Sequence, residues 1–101
     1  MSGLLQAEGE LAAAKPLYER ALAIWERTVG PDHPVTAQSV SNLGRLLQAR
    51  GELHAARPLA ERALVVREQV LGPDHFLTAM SLDNMARLLH DLSAEPMQGG
   101  S

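Results

Sequence analysis

Asp32-His33 and Asp74-His75 are the residues whose types most directly invite chemistry. Carboxylate and imidazole side chains are common metal ligands, but a shared ion requires every ligand atom about 2 Å from the metal. The two pairs stand 42 positions apart in otherwise similar sequence. Equivalent residues on neighbouring packed helices lie about 10 Å apart, too far to share an ion. Asp32 and Asp74 read instead as caps of the helices that follow, where a carboxylate accepts backbone N–H bonds and meets the positive end of the helix dipole. Catalytic constellations are missing: no cysteine, no glycine-rich phosphate loop, no Gly-x-Ser-x-Gly and no His-Glu-x-x-His. Glu19-Arg20 and Glu61-Arg62 are adjacent in sequence and do not face each other on a helix, so they read as solvated surface. The expectation is no enzyme, no cofactor and no metal.

A different chemistry, hydrogen bonding to a partner, is offered by polar residues at helical spacing. Gln38, Ser41, Asn42, Arg45 and Gln48 form one stripe of a helix expected from about Pro34 to Arg50, and Val40, Leu43, Gly44 and Leu47 form its apolar stripe. Gly51 ends it as a residue in the left-handed conformation. A second helix is expected from about Leu53 to Leu71, with Leu53, Ala56, Leu59, Ala60, Ala63, Leu64 and Val70 as its small and apolar positions. Gly72-Pro73 stops it.

These elements belong to a repeat. Leu4-Leu5-Gln6-Ala7 recurs as Leu46-Leu47-Gln48-Ala49, Leu88-Leu89 begins a third copy, and each step is 42 residues. Residues 4–45 and 46–87 are identical at 25 of 42 positions. The third copy fades after Leu92, with Ser93 standing where Gly9 and Gly51 stood. Shifting by the period adds a helix from about Leu11 to Val29, a stub from about Ser2 to Glu8, and a helix from about Phe76 to Leu92. Pro16 and Pro58 stand five residues into the second helix of each copy, where proline lacks an N–H and crowds the carbonyl four residues back. The second helix therefore either starts late or is kinked in its first turn. Tyr18 matches Ala60 and is expected to be buried packing, while Trp25 matches Arg67, so that position tolerates a charge and Trp25 is expected as a partly exposed surface or end-packing residue.

Composition agrees with packed helices. The chain has 101 residues, enough for one small domain, and 46% are hydrophobic. Aromatics are only 3%, so the core must come from Ala, Leu and Val in close-packed helices. The net charge of −3 and a pI near 5.7 give little general attraction for nucleic acid. Met1-Ser2-Gly3-Leu4-Leu5 lacks the features of a signal peptide, and Ser2 removes N-myristoylation. No stretch approaches the roughly 20 apolar residues of a membrane span. A cytoplasmic protein with neither membrane nor nucleic acid as partner is expected.

The order of Asn42-Leu43-Gly44, then Gly51-Glu52-Leu53, then Ala56-Arg57-Pro58-Leu59-Ala60-Glu61-Arg62-Ala63-Leu64 resembles the tetratricopeptide repeat. The 42-residue period and the linker Gly30-Pro31-Asp32-His33-Pro34 are similar to the long-period class of kinesin light chains and bacterial repeat arrays. Departures are Val40 and Leu82 for a bulky aromatic, and Phe76 for Pro34 in the second linker. The resemblance implies an all-α, α-α superhelix: a solenoid of about two helical hairpins plus an extra C-terminal helix. It would span residues 1–92, as copies 4–45, 46–87 and the partial 88–92, before a flexible tail at 93–101. Gly44/Ala86, Ala14/Ala56 and Ala21/Ala63 fall where the family brings helices close together.

The resemblance further implies a protein-interaction module whose first helices line a concave, peptide-binding face. The matching positions are Ser41, Asn42, Arg45, Gln48, Asp83, Asn84, Arg87 and His90. Asn42 and Asn84 match the asparagine that grips a peptide backbone, and Arg45 and Arg87 suit a carboxylate. Asp83 and Asp91 oppose a purely acidic ligand. The alternative is that the same residues form a solvated face, with the asparagines bracing neighbouring helices. A structural alternative is a fragment or capped piece of a longer array that stacks end to end, with Leu82, Met85, Leu88, Leu89 and Leu92 as its adhesive surface.

Overall fold

The computed structural model describes residues 3–95, with side chains from Gly9 onward. Four helices follow one another: α1 Gly3–Thr28, α2 Pro34–Ala49, α3 Leu53–Leu71 and α4 Phe76–Ser93. The described residues contain no strand. Each helix packs on the next, α1 on α2, α2 on α3 and α3 on α4, so the fold is the expected all-α array of hairpins.

The α2–α3 turn is built as the sequence suggests. Gly51 adopts φ +80°. Its N–H donates to the Gln48 carbonyl at 3.0 Å and the Glu52 N–H donates to the Leu47 carbonyl at 2.8 Å. Those two bonds satisfy the last carbonyls of α2 in a Schellman motif. Gly72, at φ +102°, ends α3 through bonds to the Arg67 and Glu68 carbonyls. Gly9 behaves differently. It is absent from the glycines with positive φ, and α1 runs through it. The expected stub is therefore the first part of α1 rather than a separate helix. Gly3–Glu8 makes fewer than two turns, and so short a piece gains more by extending a hydrogen-bond ladder than by nucleating its own.

Both prolines lie inside their helices, Pro16 in α1 and Pro58 in α3, so neither helix starts late. Pro58 is exposed, as is His54, whose carbonyl would have accepted the missing N–H.

The caps of α2 and α4 differ from expectation. His33 and His75, not the aspartates, occupy the N-cap positions, and each Nδ1 accepts a bond at 3.0 Å, from the Val35 and Leu77 N–H respectively. The helices begin at Pro34 and Phe76, one residue too late for Asp32 and Asp74 to cap. Nδ1 sits as many bonds from Cα as an aspartate oxygen, so an imidazole carrying its proton on Nε2 can play the same part. Thr36 and Thr78, both fully buried, complete each linker by donating from Oγ1 to the Gly30 and Gly72 carbonyls at 2.6 and 2.8 Å. His75→Ala is expected to cost about 1 kcal/mol in urea unfolding, and His75→Asp much less, because only the second retains an acceptor for the Leu77 N–H.

The core gathers Leu47, Ala56, Ala60 and Leu88, with Leu53, Leu59, Met85 and Leu92 packed around it. Leu88, expected on an adhesive surface, is 0% exposed because α4 turns it toward α3. Val66 and Arg67 continue the buried stripe of α3, whereas Val70 near its end is half exposed. Arg62 is not merely solvated: it donates to the Glu26 carboxylate at 2.8 Å and ties α3 to α1. Tyr18 is 37% exposed, unlike its equivalent Ala60, which is enclosed between α2 and α4.

Candidate functional site

α3 lies behind α2 and α4, and the two first-type helices frame a groove of about 200 Å3. From α2 come Gln38, Ser41 and Arg45, from α4 come Met80, Asp83, Asn84 and Arg87, and from α3 comes Arg67. The spacing explains the convergence. Residues 38, 41 and 45 recur at i, i+3 and i+7 on one side of α2, opposite 80, 83, 84 and 87 on α4. Leu47 of α2 and Leu88 of α4 both turn into the core against α3, which leaves these polar positions toward the opening.

Five of the eight residues singled out in the sequence, Ser41, Arg45, Asp83, Asn84 and Arg87, line this groove together. Asn42 does not. It faces the other side of α2 and lines a second groove with Leu11, Tyr18, Arg45, Leu46 and Ala49. The asparagine of each copy looks back toward the preceding copy, so Asn84 looks toward α2 and Asn42 toward α1. Gln38 Nε2 also donates to Asn42 Oδ1 at 3.2 Å. Gln48 is half-buried, with its Oε1 enclosed and unpartnered, and His90 is exposed. Neither lines the groove between α2 and α4.

Arg67 floors the groove and is 3% exposed. Its Nη1 donates to Ser81 Oγ at 2.8 Å and to the Leu77 carbonyl at 3.4 Å, and its Nη2 donates to Gln38 Oε1 at 3.2 Å. The side chain thus ties both walls to the helix behind them. Nε is buried without a partner, and desolvation lowers the guanidinium below its ordinary pKa while leaving it a cation. Trp25, the equivalent residue on α1, is 38% exposed as expected, whereas Arg67 is buried, since a charge that bridges two helices can be enclosed by its own hydrogen bonds. The available signal was spacing: Arg67 continues the small-residue stripe of Ala56, Ala60 and Ala63 at the next turn.

Arg45 and Arg87 stand at the opening, and neither they nor Asp83 form an ion pair among the described residues. The groove therefore carries three guanidinium groups against one carboxylate in a chain that is acidic overall. Its volume falls below the 300–1,000 Å3 of most small-molecule sites and suits a few side chains of an extended segment. No group of three or more His, Cys, Asp or Glu among the described residues could hold a metal ion.

The fold and the groove define a class, the helical-hairpin repeat with a polar concave face. A family model for the tetratricopeptide repeat matches residues 1–69 and again 40–95, and the chain belongs to that family. Its members are helical protein-interaction repeats. No curated protein matches the chain. None of the described helices is long and apolar enough to cross a membrane.

Proposed function

We propose that the groove between α2 and α4 holds an extended segment of a partner protein, as a binding module without catalysis. One observation carries this reading: Ser41, Arg45, Asp83, Asn84 and Arg87 converge on one opening with charged groups not committed to ion pairs. An amide at Asn84 can donate to a peptide carbonyl and accept from a peptide N–H. Arg45 and Arg87 can each fork onto a carboxylate, while Asp83 disfavours a second one beside it. The segment that fits is therefore mixed in charge, with an acidic residue toward the arginines and a neutral or basic residue toward Asp83. End-to-end stacking uses other surfaces and is compatible with an occupied groove.

Selection from a displayed random peptide library on the immobilised chain tests the proposal. A selected synthetic peptide should bind saturably, and Asn84→Ala and Arg87→Ala should each weaken it by about tenfold, or roughly 1.4 kcal/mol. His90→Ala should leave affinity unchanged. A library with no saturable binder, or binding indifferent to both groove substitutions, would overturn the reading.

A further inference from the structure

Residues 42 positions apart hold equivalent places in the two copies, so a difference in their exposure reports a missing neighbour. On α2, Ala37, Val40, Gly44 and Leu47 are buried. Their α4 equivalents Ala79, Leu82, Ala86 and Leu89 are exposed. On α3, Ala60, Val66 and Arg67 are buried, whereas Tyr18, Ile24 and Trp25 on α1 are exposed. α1 packs on α2 just as α3 packs on α4. Among the described residues, α1 has no counterpart of α2 on its other side, and α4 has no counterpart of α3. The two bare faces are the two halves of an interface that the molecule already contains between α2 and α3.

Charge gives a second, independent sign. Glu26 of α1 pairs with Arg62 of α3 at 2.8 Å. One repeat further on, the equivalents are Glu68 and Arg20. Both are exposed, and neither makes an ion pair among the described residues. Steric fit is also met. A Cβ at Gly44 would lie 3.4 Å from Leu59 Cβ and 3.7 Å from the Ala56 carbonyl oxygen, which is ordinary contact, so Ala86 can take that place opposite Leu17.

We propose that α4 of one copy docks on α1 of a second copy in the register in which α2 docks on α3, with Glu68 of the first copy meeting Arg20 of the second. Leu89 then covers Ala14 and Tyr18, the equivalents of the Ala56 and Ala60 that Leu47 covers within the chain, Leu82 lies toward the Ile24 and Trp25 end of α1, and the docked α1 supplies the second helix that α4 lacks. The contact is heterologous and leaves the same two faces bare at the ends, so it grows into open stacks rather than closing. It also sets the second copy's α2 beside α4, making another groove of the α2–α4 kind with Trp25 where Arg67 stands.

Sedimentation velocity of the 101-residue chain over a range of concentrations tests this, with emission of the sole tryptophan as a local readout. Mass should rise with concentration and Trp25 emission should shift to the blue in step. Ile24→Glu and Leu89→Glu alter exposed residues, so both chains should keep the parent's helical circular dichroism while each blocks one end. Alone, each should be a monomer; mixed one to one, they should form a dimer and grow no further. In the parent, Glu68→Arg should weaken growth and added Arg20→Glu should restore it, an arm that does not depend on the core-like positions. A parent chain that stays monomeric to millimolar concentration, a singly blocked chain that still grows, or a mixture that stays monomeric would each overturn the proposal.

Discussion

Leu88→Ala is expected to destabilise the fold by about 2–5 kcal/mol, the range for emptying a well-packed leucine site. Leu88 is fully enclosed by the cluster of Leu47, Ala56 and Ala60. The same substitution at its neighbour Leu89, 41% exposed, should change stability by no more than about 0.5 kcal/mol. The contrast tests the rotation of α4 about its own axis. Equal effects at the two leucines, read from urea midpoints, would mean that α4 presents another face to α3. Against a total stability of roughly 5–15 kcal/mol for a single domain, the larger loss should leave a visible fraction of the chain unfolded near body temperature.

Arg67→Ala is expected to be nearly as damaging, at about 2–4 kcal/mol. It empties the space beneath the groove and leaves Gln38 Oε1 and Ser81 Oγ without the donor that joins them to α3. Arg67→Met should cost much less, because methionine keeps most of the volume and removes a cation whose desolvation opposes folding. The equivalent position on α1 already carries the apolar Trp25, so the repeat accepts such a side chain there. Thermal melts of the two variants separate the contributions. If methionine proved as harmful as alanine, the hydrogen bonds rather than the filled volume would hold the walls of the groove.

The repeat made much of the fold legible in advance. Identity at a fixed step located α2, α3 and α4 to within a residue, and Gly51 and Gly72 marked turns that need positive φ. What misled was equivalence taken too far. Gly9 matches Gly51 letter for letter yet lies within a helix, because a glycine permits a turn but does not impose one. Tyr18 matches a buried alanine but stands on a helix with one fewer neighbour. Asn42 and Asn84 are the same residue in the same place of the repeat, and they face different grooves because their preceding neighbours differ. The burial of Arg67 escapes for the opposite reason: its charge marks the position as one that tolerates polarity, while its place on the buried stripe is the stronger signal. The aspartates lost the caps to the histidines by a single position, a distinction that periodicity does not resolve.

Amide chemical-shift mapping of the labelled chain against a library-selected peptide tests the central claim most directly. The perturbations should concentrate on Ser41, Arg45, Asp83, Asn84 and Arg87, with the side chain of Arg67 shifting beneath them. Residues of the outer faces, such as Leu17 and Leu82, should remain still at concentrations where the chain is monomeric. Perturbations confined to those outer faces, with the residues between α2 and α4 unmoved, would contradict the assignment of the groove as the binding site.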